Sequence, residues 1–219
     1  MLNLIFPAFC ENCKELFIFK QQNLFCENCV KSIKHVKTVY CKSCGAGTLS
    51  CEKCLNKKFY KDIKVFTSYS GCMKKLITSY KFDKYKSLSK NIADIFKEDF
   101  LNYIEEKEID LIIPVPLHKE TMKERGFDHL KEILIHLVPQ YMISSDLIKI
   151  KNTKFQMELS KDERSINLEN AFHLKNRINS GNVLVFDDVL TTGSTIMEVF
   201  DVLSKENIKN IYSYIITKS

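Results

Sequence analysis

Two adjacent acids, Asp187 and Asp188, close the apolar run Val183–Phe186 and are followed by Thr191, Thr192, Gly193, Ser194 and Thr195. The run reads as a buried strand. Ser194–Ser204 reads as a helix with Ile196, Val199, Phe200 and Leu203 on its core face. A strand, a hydroxyl-rich turn and a helix in that order make an anion cradle. Gly193 lets the backbone approach a phosphate, the unpaired N–H groups of the helix N-terminus point at it, and the Thr and Ser hydroxyls add donors. The acids would repel phosphate. They suit instead the vicinal hydroxyls of a ribose, or a Mg²⁺ held beside them, and are the candidate catalytic pair. The plainer reading takes Asp and Thr as turn and cap residues. Like charges side by side at the end of a buried strand argue against it.

A second loop belongs on the same rim. Asp110–Val115 is another apolar run, and it leads into Pro116, Leu117, His118 and Lys119. Lys119, Arg125 and Arg164 are candidate anion clamps, the arginines by bidentate contact. Lys119 reads equally well as an exposed helix-start residue. Gly126 interrupts an otherwise helical pattern over Thr121–Leu137, which draws Arg125 and Phe127 toward function. His129 and His136 read as surface or helix-packing residues. No residue stands out as a base for an incoming nucleophile.

Eight of the nine cysteines fall before residue 55, as the C-x-x-C pairs Cys10/Cys13, Cys26/Cys29, Cys41/Cys44 and Cys51/Cys54. Each pair can place two thiolates on one Zn²⁺, and two pairs complete a closed, structural Cys₄ site. Sequential pairing, for one or two ions, is the simplest; an interleaved arrangement satisfies the same spacing. Disulfides and free buried thiols are the alternatives, the first disfavoured by a cytoplasmic setting and the second by the regular spacing. Cys72 is unpaired and fits a helix core.

These sites need elements to hold them. Beyond residue 64, strand-like segments (Val65–Tyr69, Asp110–Val115, Leu147–Ile150, Val183–Phe186, Ile211–Ile216) alternate with helical ones (Cys72–Tyr80, Leu88–Ile104, Thr121–Leu137, Ser194–Ser204), the signature of a parallel α/β sheet. Asn152–Asn167 is polar and aperiodic and reads as a mobile loop. The expected organisation is a cysteine-rich module over 1–64 and an α/β domain over 65–219. The formal charge is +6, all of it in residues 1–64, where 11 Lys face 5 acids. Thiolates on zinc would offset most of it, so charge alone is a weak sign of nucleic-acid binding. Phe17, Phe19, Phe25 and Tyr40 could stack single-stranded bases, but they fit the small core of the ribbon better. No signal-peptide pattern or membrane-length apolar stretch occurs, so the expected location is cytoplasmic.

VLVFDDVLTTGST, from Val183 to Thr195, resembles the ribose-phosphate signature of type I phosphoribosyltransferases. Other segments resemble motifs of the ComF family of competence proteins: IPVPLHKETMKERGFDHL from Ile113, TKFQMELSKDERSINLENAF from Thr153, SYKF from Ser79 and the paired cysteines. Asp128-His129 stands where that family usually has Asn-Gln. The resemblance implies a type I phosphoribosyltransferase-like parallel sheet with helices on both faces, plus an N-terminal double zinc ribbon. It implies binding of phosphoribosyl diphosphate (PRPP) with Mg²⁺, the loop at Leu117, His118 and Lys119 taking the pyrophosphate, and a loop carrying Gln156, Arg164 and Asn167 closing over it. It also implies a role in natural transformation, with single-stranded DNA, other competence proteins and peripheral inner-membrane machinery as partners. A nucleobase-salvage phosphoribosyltransferase and a non-catalytic PRPP-sensing module are the alternatives.

Overall fold

The computed structural model describes residues 7–18, 24–40, 60–151 and 170–219. Cys41, Cys44, Cys51, Cys54, Arg164 and the expected mobile loop lie outside these residues. At the N-terminus β1 (Pro7–Phe9) and β2 (Leu16–Ile18) form an antiparallel hairpin, followed by α1 (Glu27–Lys31).

The main sheet holds β3 (His35–Tyr40), β4 (Tyr60–Ser68), β5 (Leu111–Pro114), β8 (Asn179–Leu190) and β9 (Asn207–Lys218), in the order β3-β4-β9-β8-β5. The last four are parallel to their neighbours; β3 runs antiparallel along the β4 edge. A small separate sheet pairs β6 (Leu147–Lys149) with β7 (Phe172–Leu174). The helices are α2 (Gly71–Phe82), α3 (Leu88–Glu106), α4 (Lys119–Arg125), α5 (His129–Leu134) and α6 (Ser194–Leu203). The expected parallel α/β sheet is therefore present. Val183, Leu184, Val185 and Phe186 are consecutive and fully buried, which requires cover on both faces of the sheet.

On one face α3 packs an aromatic cluster against the central strands. Phe100 lies edge-on to Tyr214 at 4.9 Å and to Phe186 at 5.5 Å, and Phe96 touches both. Beside the cluster, Asp99 of α3 accepts a hydrogen bond from the Tyr214 hydroxyl (2.8 Å) and pairs with Lys64 of β4 (2.8 Å) and His35 of β3 (3.1 Å). One carboxylate thus ties three strands to one helix.

Three expectations need adjustment. The strand placed at Val65–Tyr69 begins at Tyr60, so it runs through position 64, and β3 pairs with it from His35↔Thr67 to Tyr40↔Ile63. The helix expected over Thr121–Leu137 is two helices. Gly126, at φ +86°, ends α4 by donating its N–H to the Met122 carbonyl, and Asp128 caps α5 by accepting from the Lys131 N–H. The strand ending at Phe186 continues to Leu190 on β9. Among the described residues no helix is long and apolar enough to cross a membrane.

Phe100 is fully buried at the centre of the aromatic cluster. Phe100→Ala is expected to cost about 3–5 kcal/mol, read from urea unfolding.

Candidate functional site

β5 ends at Pro114, opposite Phe186, and the Val115 N–H bonded to the Phe186 carbonyl is the last rung on that side. β8 runs on alone beside β9. This leaves a notch at the carboxyl edge of the parallel sheet, where ligands of open α/β folds bind. Asp187 and Asp188 are the first residues past the rung. Strand alternation sends them to opposite faces: Asp188 to the side of Phe186, α2, α3 and α5, and Asp187 to the other side.

Asp188 is 5% exposed. The Lys81 ammonium, in the last turn of α2, lies 2.7 Å from its Oδ2, and His129 Nε2, at the start of α5, lies 2.9 Å from the same oxygen. The Tyr80 hydroxyl donates to the His129 carbonyl (2.7 Å) and the Thr217 hydroxyl to the Asp188 carbonyl (2.8 Å), so the pair is fixed from both ends. Burial alone would raise the Asp188 carboxyl, but Lys81 and His129 outweigh it and hold the group far below the usual carboxylate range. Burial pushes His129 down despite Asp188, so the imidazole is neutral, with Nε2–H facing the carboxylate and a buried, unpartnered Nδ1. His129 is thus an interior member of this network and not a surface residue.

Asp187 behaves oppositely. Burial, and then the fixed negative charge of Asp188, push its carboxyl from 3.8 up to about 7. Lys149 of β6 faces it electrostatically, its own ammonium pushed down by burial. Arg125, 6% exposed at the end of α4, sits in the field of Asp188 with its guanidinium 6.0 Å from the Phe82 ring centre, and its NH1 is buried without a hydrogen-bond partner. Lys81, Arg125 and Lys149 thus stand around the two acids, with Asp128 also in the field of Arg125.

The hydroxyl-rich turn follows directly. Gly193 is at φ +83°, in the left-handed region open to glycine, and has no side chain with which to cap α6. Thr191, Thr192, Ser194 and Thr195 are half-buried around it, with Thr192 Oγ1 and Ser194 Oγ 2.9 Å apart. On the β5 side, His118 bridges to Lys149 through the backbone and caps α4, its Nδ1 accepting from the Glu120 N–H at 3.3 Å. Leu117 is half-buried and Lys119 exposed at the first position of α4.

The structure therefore gathers Asp187, Asp188, Arg125 and the Thr191–Thr195 turn at one rim, and adds Lys81, His129 and Lys149. The helical pattern carried a signal for two of these: Lys81 stands four residues after the buried Ile77, and His129 four before the buried Ile133. Lys149 had no such marker.

Away from the rim, Cys10, Cys13, Cys26 and Cys29 bring their sulfurs within 4.8 Å of one another. The Cys26 N–H donates to Cys10 Sγ (3.3 Å) and the Asn12 side chain to Cys29 Sγ (3.2 Å), the support a thiolate set needs. Four cysteine sulfurs on two knuckles fit a tetrahedral Zn²⁺. Phe25 beside them is buried, as a ribbon core residue should be. Lys75 of α2 bonds the Asn12 carbonyl at 3.1 Å and docks the knuckle on the sheet domain.

An α/β chain with this rim and a four-cysteine knuckle can be set beside known proteins. Competence protein F of Haemophilus influenzae is 30% identical over 217 residues, covering 92% of this chain and 93% of that protein. The chain belongs to the competence protein F family. Competence protein ComFC of Bacillus subtilis is 27% identical over 84% of this chain and 79% of its own length, and the DNA utilization protein YhgH of Salmonella typhi is 26% identical over 91% and 92%. No family model matches. A hypoxanthine phosphoribosyltransferase from Staphylococcus aureus superposes with a TM-score of 0.37 at 15% identity, over 61% of this chain and 65% of that one.

The two acids should respond differently to neutralisation. Asp188→Asn leaves Lys81 buried without its counter-charge and is expected to cost about 3–5 kcal/mol at neutral pH. The raised Asp187 carboxyl contributes stability that is complete below the ordinary carboxylate value and is lost as pH rises toward 7. Asp187→Asn should therefore melt above the wild type at pH 8.5, by a smaller margin at pH 5, and level with it only near pH 3.5, in thermal denaturation at matched ionic strength.

Proposed function

We propose that this chain is a PRPP-binding, phosphoribosyltransferase-type protein acting in natural transformation, where it handles incoming single-stranded DNA. One observation carries the PRPP reading. A left-handed Gly193 opens an uncapped helix N-terminus directly after Asp187 and Asp188, at the carboxyl edge of a parallel sheet. That arrangement offers N–H and hydroxyl donors to a 5-phosphate, with a carboxylate for ribose hydroxyls. The names of the relatives, competence protein F and ComFC, support the role in transformation.

On this reading the acids divide the work. Asp188 is a positioning residue, locked by Lys81 and His129. Asp187, less engaged, meets the ribose or a Mg²⁺ beside it. Arg125 and Lys119, with Arg164 from outside the described residues, serve the pyrophosphate. Mg²⁺, when bound, neutralises a leaving pyrophosphate. The residues present fit such a ligand because Arg125 NH1 is buried without a hydrogen-bond partner and the Gly193 turn offers N–H and hydroxyl donors. Transfer after binding requires an acceptor nucleophile at ribose C1.

PRPP with Mg²⁺ is expected to bind the full chain by calorimetry, and Asp187→Asn to weaken it by tenfold or more while the fold is retained. Undiminished binding in that variant would sink the assignment of Asp187. Pyrophosphate release with an added nucleobase or single-stranded DNA separates an enzyme from a PRPP sensor.

Cys10, Cys13, Cys26 and Cys29 are proposed to bind one structural Zn²⁺. Cys29→Ser is expected to lower the zinc content, measured by colorimetric release, by one ion per chain relative to wild type. An unchanged content would refute the site.

A further inference from the structure

The end of α2 and the turn that joins it to α3 have the sequence Lys81-Phe82-Asp83-Lys84-Tyr85-Lys86. Its two aromatic side chains are poorly covered: Phe82 is 49% exposed and Tyr85 46%. Of the other exposed aromatic residues among those described, Phe9 faces the exposed, aliphatic Leu16 across the β1–β2 hairpin, and Tyr141 has no second exposed aromatic within ten residues along the chain. Phe82 and Tyr85 instead flank a lysine held at φ +61°, in the left-handed region that a lysine enters only when its surroundings impose it. The Tyr85 carbonyl accepts from the Leu88 N–H at 2.9 Å, and the Lys84 carbonyl from the Lys86 N–H at 2.8 Å, so the turn is fixed.

Its position gives it meaning. Lys81, the residue before Phe82, pairs with Asp188, and the Arg125 guanidinium lies over the Phe82 ring. The platform therefore begins one residue from the Asp187–Asp188 rim. Two half-exposed rings with interspersed lysines are the elements from which sequence-tolerant single-strand sites are built, with bases stacked on rings and the backbone tracked by cations.

We infer that the α2–α3 turn is a stacking platform for single-stranded nucleic acid, which sets a base of the strand at the mouth of the Asp187–Asp188 notch. This rests on the proposed handling of single-stranded DNA and gives it a place on the fold. Charge decides how the platform works. Lys81 is committed to Asp188 and Lys86 to Glu132 at 2.7 Å, and Asp83 lies between them. Lys84 is the lysine of the turn with no ion-pair partner among the described residues. Stacking must then dominate, and the salt dependence of the turn's contribution must be shallow, with a slope near one phosphate contact. An aliphatic protein partner would gain little from rings set among charges, whereas every nucleobase offers a face to them.

The test is fluorescence anisotropy of the full, zinc-loaded chain with a fluorescein-labelled dT20 strand over a salt series. Phe82→Ala and Tyr85→Ala are each expected to weaken binding about tenfold with an unchanged salt slope. Lys84→Ala should flatten the slope by about one contact, and Tyr85→Phe, which keeps the ring, should bind as wild type does. Circular dichroism of each variant separates a lost platform from a lost fold. Wild-type affinity in a folded Phe82→Ala, Tyr85→Ala double variant would overturn the inference, and so would absence of dT20 binding by the wild type. PRPP binding is measured separately on the wild-type chain, so failure of the platform and failure of the phosphoribosyl reading are told apart.

Discussion

A single buried carboxylate organises this rim. Asp188 has been taken from water to 5% exposure and is ionised there because Lys81 and neutral His129 share its Oδ2. Such a group is costly to bury and costlier to leave unpaired. The cost constrains three elements at once. α2 must end where it does so that Lys81 reaches the strand. α5 must start at His129, which is why the chain breaks helically at Gly126 and restarts on the Asp128 cap. β9 must extend to Thr217 to hold the Asp188 carbonyl. Asp99 plays the same part on the other side of α3, where it holds Tyr214, Lys64 and His35 together. Two acids thus staple the helical layer to the sheet, one beside the notch and one beside the strand that leads in from the cysteine-rich segment.

Much of this was legible in the sequence, and the reasons differ by element. The central strands announce themselves because a parallel sheet covered on both faces requires unbroken apolar runs, and Leu111–Pro114 and Val183–Phe186 are such runs. The Thr191–Thr195 turn is legible because few physical purposes require acids, hydroxyls and a glycine at that junction. The strand's continuation through Asp187 and Asp188 was not, because periodicity treats two acids as an end. Their pairing with β9 is decided by tertiary contacts that local propensity does not record. β3 was missed for a related cause: its neighbours in the chain are cysteine pairs, and composition drew His35–Tyr40 into their module although the strand pairs with β4.

The histidine shows the limit most clearly. As a residue type, His129 is as often packing as function, and Asp128-His129 departs from the Asn-Gln usual in the family. Its helical phase relative to Ile133 placed it inward, but phase alone cannot tell an apolar neighbour from a carboxylate. Only the approach of β8 supplies Asp188. Sites assembled from residues more than fifty positions apart, as His129 and Asp188 are, become readable once the topology is known.

The contrast between neighbouring acids bears on how the rim would receive a ligand. Asp188 is ionised by its partners and has little left to offer. Asp187 is pushed up to about 7 by burial and by that fixed neighbour, so near neutrality it is divided between a hydrogen-bond donor and an acceptor. A phosphate anion arriving alone would add negative charge and drive Asp187 further toward the neutral form, whereas a divalent cation would draw it back to the carboxylate. On the proposed reading, a diphosphate delivered with its metal leaves these effects opposed and Asp187 able to accept from ribose hydroxyls.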